Sequence, residues 1–111
     1  MQTTLYTVFY PNGMSLVQEV DWPKHPGYVL IKALIAPILN GGNLEHVTVL
    51  YHGAAHDMFV DEDGKMKGLP INAAATNIYR AAWLHSHPKT NPDTLSFIVG
   101  PAILFHRRVW F

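Results

Sequence analysis

Apolar and polar positions alternate in the first twenty residues, and this pattern predicts a β-hairpin. Residues 5–10 and 15–20 are rich in β-forming side chains, and Pro11-Asn12-Gly13 lies between them. Asn-Gly between two apolar runs is a strong signal for a tight turn between antiparallel strands. Residues 28–39 then carry apolar side chains at helical spacing. Because Lys32 is the only charge in this helix, we expect it to be buried on more than one side.

A second group of two strands and a helix follows. Residues 44–51 and 56–61 predict another antiparallel pair. Asn72 is a good N-cap, because its side-chain oxygen can accept hydrogen bonds from the first free amides of a helix. Apolar side chains from Ala75 to Trp83 then form a helical stripe, and the helix should end before Pro88.

Two shorter segments complete the predicted fold. The acidic run before Gly64 predicts a turn with this glycine at a positive φ. The apolar residues 97–105, interrupted by Gly100-Pro101, predict a last strand. The sequence therefore predicts one α+β domain over residues 1–111, with two helices on a mainly antiparallel sheet in the order ββαββαβ.

Composition narrows the classes of function. Eight basic residues balance eight acidic ones, which argues against a nucleic-acid binder because phosphates require a surplus of positive charge. Charged residues make up only 14% of the chain, against roughly 25% in a typical domain. A surface with so few charges favours a homodimer, in which a second chain covers part of it. Without cysteine, disulfides and thiolate chemistry are excluded. No signal-peptide pattern and no apolar run of ~20 residues is present, so we expect a cytoplasmic protein without a membrane segment.

The second half of the chain also resembles a known family. Five segments carry the resemblance: Glu45-His46-Val47, Asp57-Met58-Phe59-Val60-Asp61-Glu62-x-Gly64, Gly68-Leu69-Pro70-x-Asn72, Ala75-Thr76-x-x-Tyr79-Arg80 and Ile98-Val99-Gly100-Pro101-Ala102-x-Leu104-Phe105. Together they are similar to the domain-of-unknown-function family numbered 3846, which occurs largely in phages and mobile elements. The resemblance implies an accessory protein in the host cytoplasm and brings no reaction, cofactor or catalytic residue. By analogy, such a protein binds and blocks or sequesters a host component, for example in counter-defence.

One candidate binding site is the start of the second predicted helix, where free amides and the helix dipole favour an anion. A nucleotide-like ligand would contact this site through the following residues: Gly68, Asn72, Ala73, Thr76, Arg80, Arg107 and Arg108. The loop lacks the phosphate-binding pattern of an ATPase. A capped helix with nothing bound is the alternative and the commoner interpretation.

A second candidate site is a protein interface built from aromatic residues. Trp22, Trp110 and Phe111 are the candidates, and the last two stand next to Arg107 and Arg108. Trp and Arg are enriched where interfaces bind most tightly. The sequence thus predicts a non-enzymatic binding protein without a cofactor, whose partner is either a host protein or a small anionic ligand.

Two histidines near the end of the second predicted helix suggest an alternative function, that of a metalloenzyme. His85-Ser86-His87-Pro88 resembles the core of the JAMM metalloprotease motif, in which two imidazoles and an upstream glutamate hold zinc. The spacing to Ser96 is one residue too long, and Val99 stands where a ligand aspartate is required. A JAMM-like zinc hydrolase using His85 and His87 therefore remains the alternative. His46, His52 and His56 suggest a further cluster across the second strand pair, although a solvated sheet face is the simpler interpretation.

Overall fold

All strands pair antiparallel in one five-stranded sheet of order β2-β1-β5-β4-β3. This computed structural model describes residues 1–111. Its elements are β1 (Gln2–Phe9), β2 (Ser15–Trp22), α1 (Gly27–Ile38), β3 (Leu44–Tyr51), β4 (Ala54–Asp61), α2 (Ala73–Ser86) and β5 (Ala102–Phe105), with a 3-10 turn at Pro92–Thr94. The predicted α+β class and the order ββαββαβ are confirmed. Neither helix has the length and apolarity that a membrane crossing requires.

The tight turns explain why neighbouring strands in the chain pair with each other. In the first hairpin the Tyr10 amide donates to the Met14 carbonyl at 2.9 Å. In the second, only His52 and Gly53 connect β3 to β4, and both have positive φ, 51° and 79°. Two-residue loops of this handedness match the twist of the strands that they join.

The helices cover opposite faces of the sheet. Ile31 and Ile35 of α1 pack in one core cluster with Phe59, whereas Ala75 of α2 packs in another with Met58. Met58 and Phe59 are consecutive in β4, and consecutive side chains of a strand point to opposite faces. The fold therefore has three layers, with the antiparallel sheet between the two helices.

The last strand lies in the centre of the sheet. β5 pairs with β1 on one side and with β4 on the other, and all four of its side chains are buried. The predicted strand 97–105 is shorter than expected, because Gly100 turns the chain with φ 74° and Phe97 is exposed. Val99 forms only a single bridge, to Ile71.

Two local expectations were wrong. α1 is not buried on several sides, because Tyr28, Val29 and Leu30 are exposed, Val29 to 79%. Gly64 does not have a positive φ. A Cβ at Gly64 would lie 2.8 Å from Val99 Cγ2, so this position requires glycine because the two segments approach each other closely.

Candidate interaction site

A buried carboxylate anchors the end of the chain to the sheet. Asp57 in β4 is completely buried and shares the α1 side of the sheet with Phe59. Its Oδ1 accepts hydrogen bonds from His46 Nε2 at 2.7 Å and from Arg108 Nε at 3.0 Å. Its Oδ2 accepts from the amides of Val109 and Trp110 at 2.7 and 2.9 Å. Three of these four donors belong to residues 108–110, so Asp57 holds the C-terminal segment against the sheet.

The same contacts control the ionisation of Asp57. Burial alone raises the pKa of its carboxyl group. The hydrogen bonds from the Trp110 amide, His46, the Val109 amide and Arg108 outweigh burial and leave the pKa below its ordinary value of 3.8. Asp57 is therefore negatively charged at neutral pH, as a hydrogen-bonded partner of Arg108 requires.

Anchoring by Asp57 places two aromatic rings beside α1. Trp110 stacks on His46 with 5.1 Å between ring centroids, and Tyr28 meets its edge at 6.3 Å. Phe111 packs against the ring of His25 at 4.1 Å. We call His25, Tyr28, Trp110 and Phe111 the aromatic patch.

An open cavity of ≈ 220 Å³ lies within the aromatic patch. Its lining consists of His25, Gly27, Tyr28, Ile31, Val109, Trp110 and Phe111. Phe111 is 74% exposed and Tyr28 is 52% exposed. Large aromatic side chains left in contact with water around a cavity are typical of a surface that binds another molecule.

Several basic residues lie close to the aromatic patch, in space or in sequence. Lys32 Nζ lies 5.7 Å from the ring centroid of Tyr28, and Lys24 directly precedes His25. Arg107 and Arg108 directly precede the last three residues, so four of the eight basic residues of the chain lie at or next to the patch. Asp57, which pairs with Arg108, is buried and already accepts four hydrogen bonds.

Arg107 supports the backbone instead of presenting a free guanidinium. Its Nε donates to Thr4 Oγ1 at 2.9 Å, and NH2 donates to the Pro23 carbonyl at 2.9 Å. NH1 donates to the carbonyls of Lys24 and Arg108. This side chain connects β1, the segment after β2 and the C-terminal segment, and it keeps the two sides of the aromatic patch together.

The predicted anion site at the start of α2 has a different role. Asn72 is the N-cap as predicted, since its Oδ1 accepts from the Ala75 amide at 3.1 Å. Its Nδ2 donates to the carbonyls of Phe9 and Gly100, both at 2.9 Å, and the residue is fully buried. Thr76 is also buried, with its hydroxyl bonded to the backbone of Ile98. These polar groups join α2 to the sheet and are not directed towards solvent.

The structure does not bring the predicted arginines to this helix start. Arg80 donates to the Leu95 carbonyl and lies over the ring of Phe97 at 4.4 Å. Arg107 binds Thr4, which is five residues from Phe9 along β1 and hence about 17 Å away. Arg108 is bonded to Asp57 on the opposite side of the sheet. Gly68, with φ 68°, and Ala73 lie at the surface near the helix start without these charges.

One of the three predicted interface residues is in the core. Trp22 is only 4% exposed, and its ring stacks on Phe105 with 5.4 Å between centroids. The prediction of an interface was therefore wrong for Trp22. Trp110 is partly buried and Phe111 is exposed, and both belong to the aromatic patch.

The histidines are dispersed. His85 and His87 are exposed at the end of α2, and His87 stacks on Trp83 at 4.2 Å. No group of three or more His, Cys, Asp or Glu side chains is close enough to hold a metal ion. His46 and His56 lie on opposite faces of the sheet, and His52 is in the β3–β4 turn. The expected solvated position was wrong for His46, whose side chain is 18% exposed and bonded to Asp57.

The contact between Asp57 and the C-terminal segment was not predicted from the sequence. A signal for Asp57 was present, because period-2 alternation places it on the same side of β4 as the apolar Phe59. An acid at such a position requires a partner. Nothing local indicates that the partner is Arg108, which is 51 positions further along the chain.

These features define an α+β domain whose antiparallel sheet lies between two helices and whose C-terminal segment forms an aromatic surface with basic surroundings. Comparisons with family models, with curated proteins and with solved structures find no match to this chain. The resemblance to the phage family stays a prediction.

Proposed function

We propose that this chain is a non-enzymatic binding protein that holds a segment of another protein on the aromatic patch. The observation that carries the proposal is the exposure of Phe111 and Tyr28 beside an open cavity, on a backbone that Asp57 fixes through buried hydrogen bonds. A surface ordered before binding loses less conformational entropy when the partner arrives. Aromatic residues in such a position commonly supply most of the binding energy.

The size and charge of the site indicate the chemistry of the partner. A cavity of ≈ 220 Å³ is smaller than the roughly 300–1,000 Å³ of small-molecule sites, and it suits one apolar side chain. Lys32, next to Tyr28, and Lys24, next to His25, favour carboxylates beside that side chain. The partner segment would therefore carry an aromatic or aliphatic anchor flanked by acidic residues.

A protein partner is favoured over a nucleotide-like ligand. Phosphate recognition uses guanidinium groups with free donors. The Nε, NH1 and NH2 atoms of Arg107 all donate to protein oxygens. The Nε of Arg108 donates to Asp57, whose carboxylate already balances the charge of this arginine. The family resemblance supports a host protein as the partner, and occlusion of that protein would be the mode of action.

The proposal is tested by comparing three versions of the chain against a partner captured from host lysate and then purified. Phe111→Ala should weaken binding at least tenfold, about 1.4 kcal/mol, in isothermal titration calorimetry. Met66→Ala, which truncates another exposed apolar side chain far along the chain from the patch, should bind like the unaltered protein. Equal affinity of the Phe111→Ala variant for its partner would contradict the proposal.

Charge reversal tests the chemistry of the partner separately. Lys32→Glu should slow association and reduce its dependence on salt, because charges at the rim of an interface act mainly on the association rate. Lys89→Glu, in the loop after α2, is the matched control. If Lys32→Glu accelerates association instead, the partner segment is basic and the inferred chemistry is wrong.

A further inference from the structure

β2 is a long, regular open edge of the sheet, and its only protection against pairing with another strand is the charge of Glu19 and Asp21. It pairs with β1 on one side and with no strand on the other. Eight consecutive residue pairs join β1 and β2 without a bulge, and β2 contains neither proline nor lysine. Bulges, prolines and lysines are common in natural edge strands, where they prevent pairing with another chain.

The pairing with β1 determines which backbone groups of β2 face outwards. The Met14 carbonyl accepts from Tyr10, so every second residue after Met14 also points its N–H and C=O groups towards β1. The residues between them point theirs to the open side. These outward residues are Ser15, Val17, Glu19 and Asp21.

We propose that β2 pairs antiparallel with β2 of a second copy of this chain, about a two-fold axis that passes through Gln18 perpendicular to the sheet. Val17 then lies opposite Glu19 of the second copy, and Ser15 lies opposite Asp21 of the second copy. Every outward N–H and C=O group of these four residues gains a partner. The two sheets become one continuous sheet.

Charge and side-chain pattern select this register. β2 has two acidic residues and no basic residue. An axis at Glu19 would place two carboxylates directly opposite each other, which destabilises a strand pair. An axis at Val17 would leave Asp21 opposite the turn of the other copy. With the axis at Gln18 no carboxylate lies directly opposite another, and the two Glu19 side chains are diagonal neighbours. Leu16 meets Val20 of the second copy on the α1 side of the sheet.

This arrangement has a consequence for binding. An axis perpendicular to the sheet keeps the α1 sides of both copies on the same face. The dimer would then present two aromatic patches in one direction, and a partner with two matching segments would bind with increased avidity. Only this consequence rests on the proposed function, because the pairing of β2 does not involve the aromatic patch.

Disulfide cross-linking tests the register. The chain has no cysteine, so Gln18→Cys introduces a single exposed thiol. In the proposed register residue 18 faces its own symmetry mate in a non-hydrogen-bonded pair, with a Cα separation of about 4.5 Å that a disulfide can bridge. Under mild oxidation Gln18→Cys should form a covalent dimer.

Two further cysteine variants serve as controls for the cross-linking. Val17→Cys and Glu19→Cys should each stay uncross-linked alone, and they should cross-link when mixed. If Val17→Cys links to itself as readily as Gln18→Cys does, the proposed register is wrong.

Sedimentation equilibrium tests the dimer itself. The unaltered chain of 12.5 kDa should show twice this mass as its concentration rises. Val17→Pro removes an outward N–H and leaves the hydrogen bonds to β1 intact, so it should sediment as a folded monomer, with the fold checked by circular dichroism. Val17→Thr is the matched control and should still dimerise. A monomeric unaltered chain at every concentration, or a dimeric Val17→Pro variant, would overturn the proposal.

Discussion

The amide of Trp110 donates a hydrogen bond of 2.9 Å to Oδ2 of Asp57, 53 positions earlier in the chain. This contact joins the middle of β4 to the last residues of the protein. Because Asp57 lies in a rigid strand, Trp110 and Phe111 are held at the N-terminal end of α1. The aromatic patch therefore depends on one buried carboxylate.

Asp57→Asn should destabilise the protein by about 3 kcal/mol, as expected when one member of a buried charge pair is removed. The amide replaces an oxygen acceptor by a donor, which faces the donors of Arg108 and the main chain. Urea unfolding measures the change. Asp93→Asn, at an exposed acid, should change the free energy of unfolding by less than about 0.5 kcal/mol. Similar stabilities of the two variants would show that the anchor contributes little.

Stability should also fall in acid because of Asp57. Its pKa is lower in the folded protein than the ordinary value of 3.8, so the unfolded chain binds this proton more readily. The stabilisation is complete above the ordinary pKa and is lost as the pH falls from 3.8 through the lower folded pKa. Urea unfolding between about pH 5 and pH 2 should show a steeper loss for the unaltered chain than for Asp57→Asn. Parallel curves would contradict this role.

Trp22→Ala should lower the free energy of unfolding much more than Phe111→Ala does. Trp22 is buried against Phe105, so its truncation should cost about 3–5 kcal/mol. Phe111 is exposed, and its truncation should change the free energy of unfolding by about 0.5 kcal/mol or less. Thermal unfolding followed by calorimetry measures both. Comparable losses would mean that Phe111 supports the fold and is not free to bind a partner.

Asn72→Asp should show that Asn72 does more than cap α2. Asp is as good an N-cap as Asn, but it cannot donate to the carbonyls of Phe9 and Gly100 and it buries a charge. We expect a loss of about 3 kcal/mol or more in urea unfolding. Asn91→Asp is the matched control, because Asn91 caps an exposed 3-10 turn through its oxygen, and it should change little. Equal losses of stability in the two variants would mean that Asn72 acts only as a helix cap.

Features with short-range signals were predictable from the sequence. The Pro11-Asn12-Gly13 turn, the bounds of both helices and the Asn72 cap each depend on residues within one or two turns of the chain. Local backbone preference and the first free amides of a helix act over this range. Burial was less predictable: α1 is apolar except for Lys32, yet only one side of it is buried against the sheet.

Contacts between distant parts of the chain required the tertiary structure. The apolar run 97–105 predicts a strand, but not that only Ala102–Phe105 forms it or that it inserts between β1 and β4. Alternation places Asp57 on an apolar side of β4, but its partners come from β3 and from the C-terminal segment. Which segments meet depends on how the whole chain buries its apolar side chains at once. In the folded chain Trp22 is therefore buried and Phe111 is exposed. Arg107 and Arg108 lie away from the start of α2.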